Sequence, residues 1–125
     1  MTTRAHHQLR AWKEAIGLVK EVYRVTSALP REELYGLSLQ MRRCAVSVPS
    51  NIAEGAARAS SKEFLHYLTM ARGSLSELDT QLVIARELGY LDDATVVKQL
   101  DAVFGLLGGL INSVRQETDA SSPPQ

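Results

Sequence analysis

Apolar residues recur at three- and four-residue steps in four separate stretches of the chain. In the first, Leu9, Trp12, Ile16, Val19, Tyr23 and Thr26 make one stripe, and Ala15, Leu18, Val22, Val25 and Leu29 make a second beside it. Such spacing predicts an amphipathic helix. Two adjacent stripes make a wide apolar face, which predicts contact with more than one neighbour. Pro30 predicts the end of this helix, because the residue before a proline is steered away from the α conformation. Residues 30–36, PREELYG, read as a connector holding one helical turn, with Gly36 as punctuation.

A second helix is predicted from near Leu37, with Leu37, Met41, Ala45, Val48 and Ile52 inward. Ser60 followed by Glu63 has the spacing of a capping box and opens the third. There Phe64, Leu68, Ala71, Leu75, Leu78, Leu82 and Ala85 alternate steps of four and three. That period suits bundle packing at shallow left-handed crossing angles. Gly89 stops this helix, and Asp92 or Asp93 caps the fourth. Val96, Leu100, Val103, Phe104, Leu107, Leu110, Ile111 and Val114 form the last apolar face. Four helices of roughly 20 to 28 residues would span about 30 to 40 Å at 1.5 Å per residue. Short connectors make neighbours in sequence antiparallel. The expected fold is therefore all-α: an up-down-up-down antiparallel four-helix bundle over residues 1–118, with a proline-kinked second helix. Residues 119–125, polar and with a proline pair, are expected to be a disordered tail.

Pro49 sits inside the second stretch, where it lacks an N–H and its ring crowds the carbonyl of Ala45. Either the helix continues with a bend, or it breaks and Asn51 caps a restart with Glu54 three residues on. Apolar register passes nearly unbroken through the proline, which favours the bend. Asn51 and Glu54 have a further reading as inward groups, with Glu54 paired to Arg43, Arg58 or Arg72. Gly55, Ala56 and Ala57 would let another helix approach closely. Gly105, Gly108 and Gly109 lie inside the fourth helix. Each costs about 1 kcal/mol relative to alanine there, which implies a close backbone approach, in the core or between subunits.

At 125 residues the chain suits one domain, and its formal net charge is zero. Cys44 is the only cysteine, so neither an intramolecular disulfide nor a cysteine metal site is expected. The N-terminal MTTRAHHQLR has no apolar stretch of the signal-peptide kind, and no uninterrupted apolar run approaches a membrane span. A cytoplasmic location without membrane contact is the expectation.

Charge is unevenly spread. Residues 4–24 and residues 42–72 each carry a net +3, and residues 92–119 a net −3. A repeated basic face would attract phosphates, and Arg42, Arg43, Arg58 and Lys62 are the candidate nucleic-acid contacts. The alternative is pairing of complementary faces between helices or subunits. Catalysis has little to stand on. His6, His7 and His66 fit no HExxH or ExxH pattern, Ser74 and Ser76 lack a nucleophile elbow, and no glycine-rich phosphate loop is present. No catalytic, cofactor or metal residue is expected.

The stretch from Glu33 to Leu82, ELYGLSLQMRRCAVSVPSNIAEGAARASSKEFLHYLTMARGSLSELDTQL, resembles the signature of the 23S rRNA intervening-sequence proteins. Its ordered positions are Glu33, Gly36, Leu37, Gln40, Arg43, Ser47, Pro49, Asn51, Glu54, Gly55, Phe64, Gly73, Ser74, Glu77 and Leu78. Similarity extends over roughly Leu9 to Leu110. Gln40, Pro49, Asn51, Glu54, Gly55 and Ser74 are read as structural polar or kink positions. The resemblance implies a four-helix bundle assembling as a homopentameric ring, with no known enzyme activity. A related branch, the accessory proteins of diversity-generating retroelements, is basic and binds RNA and a reverse transcriptase. The expected function is thus non-enzymatic: a self-assembling binding or scaffolding protein, with RNA or an RNA-processing protein as candidate partner. The alternative is a protein-interaction module with no nucleic-acid affinity.

Overall fold

In the computed structural model the described residues are 4–120, the side chain of His7 excepted. Four α-helices follow one another: α1 Arg10–Thr26, α2 Leu37–Ala56, α3 Ser61–Glu87 and α4 Ala94–Ala120. Single 3-10 turns at Ala5–Gln8 and Arg31–Glu33 precede α1 and α2. No strand occurs among the described residues. α1 lies beside α2 and α4, and α3 lies beside α2 and α4. Polar pairs show the antiparallel sense: Cys44 meets Glu77, whereas Ser47, one turn on, meets Ser74, one turn back.

The helix ends follow local chemistry. Ser60 Oγ accepts from the backbone N–H of Glu63 at 3.1 Å, half of the predicted capping box. Asp93 is the cap of α4, accepting from Val96 N–H at 3.0 Å. α3 ends in a Schellman turn, with Gly89 at φ 74°, Gly89 N–H donating to Arg86 O and Tyr90 N–H to Ala85 O. α1 stops at Thr26, earlier than Pro30 alone predicts. There the hydroxyls of Thr26 and Ser27 donate back to the carbonyls of Val22 and Tyr23.

α2 runs unbroken through Pro49. The restart reading fails, because Asn51 caps nothing: its side-chain amide donates to Ser47 O at 2.9 Å and Ser47 Oγ at 3.0 Å in the preceding turn. α4 continues through Asp119 and Ala120, the first two residues expected in the tail. Residues 121–125 lie outside the described residues.

The core is aliphatic. Leu18, Val22, Met41, Val48, Ile52, Leu68, Leu75, Leu78, Leu107 and Ile111 are all fully buried. Each such leucine or isoleucine contributes roughly 1.5–3 kcal/mol by leaving water. The two stripes of α1 divide their work. Ala15, Leu18, Val22, Val25 and Leu29 enter the core, whereas Ile16 and Tyr23 stay 38% and 45% exposed. Trp12 and Val19 are half-buried at its edge. α4 buries its expected face: Val96, Leu100, Val103, Leu107, Ile111 and Val114 are in the core, with Phe104 and Leu110 packed against it. An 18-residue window of α4 has mean hydropathy 1.4, and 28% of that window is buried. By length and composition α4 is the one described helix that could cross a membrane. A search for uninterrupted apolar runs overlooks it.

Candidate functional site

The four candidate phosphate contacts do not converge. Arg42 and Arg43 lie in the first half of α2, while Arg58 and Lys62 flank the turn from α2 to α3. α2 runs 14 residues on from Arg42 to its end at Ala56, roughly 21 Å along the helix. Two basic corners replace the single patch.

Arg42 is held at the first corner. Its guanidinium stacks over the Tyr23 ring at 4.6 Å, and Nε donates to Thr26 Oγ1 at 2.8 Å. These contacts pin α2 to the end of α1, so Arg42 is a structural clamp with little freedom to reach a ligand. Arg43 is exposed beside it. A shallow apolar groove begins here, bounded by Tyr23, Leu39, Val46 and Ser47. It continues past Val46 to Trp12, Ile16, Val19, Pro49 and Ala53.

At the second corner Arg58 donates to Glu54 Oε1 at 3.1 Å and to Tyr67 Oη at 2.7 Å. Its guanidinium carbon lies 4.9 Å from the Tyr67 ring centroid. Of the three partners foreseen for Glu54, the structure selects Arg58. This pair is exposed, and pairs of that kind are worth at most about 1 kcal/mol. Lys62 is exposed on the first turn of α3, and His66 follows one turn later. Arg58, Lys62, His66, Leu65 and Thr69 line an open cleft of about 560 Å³. Phosphate binding here would have to displace Glu54 from Arg58.

The remaining predicted positions lie apart from both corners or on the α2–α3 seam. Gln40 is exposed on the first turn of α2. Ser74 and Ser47 share a hydrogen bond of 2.8 Å across the α2–α3 seam. Gly55 is buried, and a Cβ there would lie 2.8 Å from both Phe64 Cδ1 and Tyr67 Cβ and 3.2 Å from Phe64 O. α3 therefore crosses α2 at Gly55 as closely as a backbone allows.

The same seam holds a polar cluster that the sequence reading missed. Cys44 Sγ lies 3.1 Å from Glu77 Oε2, and Gln81 Nε2 donates to the sulfur at 3.4 Å. Gln81 is 9% exposed, and its Oε1 is buried with no partner. The signal was available: Gln81 stands three residues after Leu78, on the inward edge of a regular stripe. Burial, then the Glu77 carboxylate, pushes the Cys44 thiol up to about 11. A thiol so protonated is a poor nucleophile. Elsewhere, Arg24 joins α1 to the start of α4 through Asp93 and also pairs with Glu21. Arg24 holds Asp93 below the usual carboxylate range, with help from the Val96 N–H. Among the described residues no group of three or more His, Cys, Asp or Glu is placed to hold a metal ion.

No curated protein matches the chain. The family model for the 23S rRNA-intervening sequence protein does match, over residues 7–112. That span takes in α1, α2, α3, both basic corners and most of α4. The chain belongs to the 23S rRNA-intervening sequence protein family.

Proposed function

We propose that this chain is a non-enzymatic, cytoplasmic self-assembling bundle, a homopentameric ring that works as a binding or scaffolding protein. The observation that carries this reading is on α1 and α2: Ile16, Tyr23 and Val46 are 38%, 45% and 41% exposed and line one shallow groove. An apolar groove in water calls for a cover. RNA is the partner this reading favours, with the Arg58–Lys62 corner as its proposed contact; that Arg42 already engages Tyr23 and Thr26 supports the choice. A ring would repeat that corner in each subunit and sum its field. The competing reading, a protein-interaction module without nucleic-acid affinity, draws support from the Glu54 carboxylate that already engages Arg58.

The test is a native mass spectrum of protein purified gently at low salt without nuclease. A five-fold mass carrying heterogeneous, nuclease-sensitive material is expected. Binding should then fall on reversing Arg58 and Lys62 together, and hold on reversing Arg43. A clean five-fold mass would support the protein-interaction reading, and a monomer would defeat self-assembly.

A further inference from the structure

Three heteroatom side chains meet at one level of the α2–α3 seam. Cys44 comes from α2, and Glu77 and Gln81, one turn apart, come from α3. Cys44 Sγ lies 3.1 Å from Glu77 Oε2 and 3.4 Å from Gln81 Nε2. The neighbouring level is closed by the Ser47–Ser74 hydrogen bond. This one is not closed. Gln81 is only 9% exposed, yet its Oε1 is buried with no hydrogen-bond partner among the described residues. A buried amide oxygen left unpaired is costly, and a leucine in its place would avoid the cost.

Rotation of the Gln81 amide about its last torsion exchanges Nε2 for Oε1 and turns the oxygen toward the sulfur. Sulfur, carboxylate oxygen and amide oxygen then face one point. On a zinc ion, a sulfur at about 2.3 Å and an oxygen at about 2.1 Å stand about 3.6 Å apart at the tetrahedral angle. The distances in the seam are a few tenths of an ångström shorter, a gap that side-chain rotation opens. Charge fits as well. A thiolate and a carboxylate together carry two negative charges, which a divalent cation neutralises. Glu77 is exposed and Cys44 half-buried, so an ion enters from solvent and water completes its shell.

We propose that Cys44, Glu77 and Gln81 bind a thiophilic divalent cation of the zinc class, which staples α2 to α3. One soft sulfur with two hard oxygens suits a borderline ion better than magnesium or calcium. On binding, the Cys44 S–H bond breaks, its proton passes to solvent and a sulfur–metal bond forms, with nothing oxidised or reduced. A single cysteine was expected to exclude such a site, but one sulfur suffices where α3 supplies the oxygens. The amide is a donor that a count of His, Cys, Asp and Glu leaves out. The site lies within one chain and stands apart from the self-assembly reading.

Cadmium is the probe, because its bond to a thiolate has an ultraviolet charge-transfer band and Cys44 is the only cysteine. Titrating the reduced chain with Cd²⁺ at neutral pH should raise the band to an end point of one ion per chain, and Zn²⁺ should displace it. Gln81→Leu keeps the size of the side chain and should preserve the helical circular dichroism. It should weaken binding by at least about tenfold, the low end for losing even a residue that only orients a metal ligand. Glu77→Gln should weaken binding too. Zn²⁺ should raise the thermal midpoint of the wild type more than that of Cys44→Ser. Absence of the band would overturn the site. Equal affinity in Gln81→Leu and wild type would also overturn it, by showing an isolated thiol at work. An end point of one ion for two chains would do the same, by placing the cation between the Cys44 residues of two copies. An equal rise in midpoint with and without the thiol would overturn the staple.

Discussion

Glycine is used in two opposite ways in this molecule. At Gly55 the chain's own α3 presses on α2 so closely that a methyl group would overlap Tyr67 Cβ and Phe64. At Gly105, Gly108 and Gly109 there is nothing within reach. Both sites give up helix propensity, but only the first recovers it inside the bundle. The α2–α3 seam is thus a finished interface, with Ser47 bonded to Ser74 and Cys44 set against Glu77 and Gln81. The outer face of α4 makes no such contact within the chain.

The largest effect expected from breaking this contrast is at Gly55. Alanine there must push aside a backbone oxygen and a Cβ, neither the end of a flexible chain. Overpacking of this sort costs roughly 1–3 kcal/mol, against which the gain in helix propensity is about 1 kcal/mol. Gly55→Ala should therefore lower the denaturant midpoint. A midpoint equal to or above wild type would show that the seam is looser than its geometry, and the contrast would collapse.

Gly105→Ala and Gly109→Ala should act in the reverse sense. In dilute protein each should raise stability by about 1 kcal/mol, the propensity difference alone. The denaturant midpoint of each variant checks this. A loss of stability would place these glycines in a close intrachain contact.

How much of this was legible beforehand follows from the range of the forces involved. Caps and stops are local, so Ser60, Asp93 and Gly89 could be read from a few neighbouring letters. The core stripes of α2, α3 and α4 could be read from period alone. The wide face of α1 was visible too, but not that Ile16 and Tyr23 would line an outer groove while Leu18 and Val22 entered the core. The partners of Arg42 were out of reach of a local reading, because Tyr23 and Thr26 stand 19 and 16 residues earlier in the sequence. Charge counting sees Arg42 and Arg58 as one group. Only the length of α2 sets them at opposite corners. Pro49 posed two local solutions, of which apolar register favoured the continuous helix, and the amide of Asn51, turned back to Ser47, agrees with continuity.

The smallest effect expected is at Cys44, and it tests whether the α2–α3 seam is closed as Gly55 implies. Burial and the neighbouring Glu77 carboxylate both disfavour the thiolate, raising the thiol to about 11, whereas the Gln81 amide works against them. Because the folded value lies above that of a free thiol, ~8.5, the folded state holds this proton more tightly than the unfolded one. Its contribution to stability is complete below about pH 8.5 and is lost as pH rises toward 11. Alkylation by iodoacetamide should accordingly stay slow through neutral pH and climb only as pH approaches 11. Glu77→Gln should move that climb to lower pH, though not to the free-thiol value, since burial remains. Gln81→Leu should move it higher. The profile should also be the same at every protein concentration, because the seam is sealed within one chain. Fast alkylation at pH 8 would mean that the seam opens, and a profile that shifts on dilution would mean that the seam is not closed within one chain.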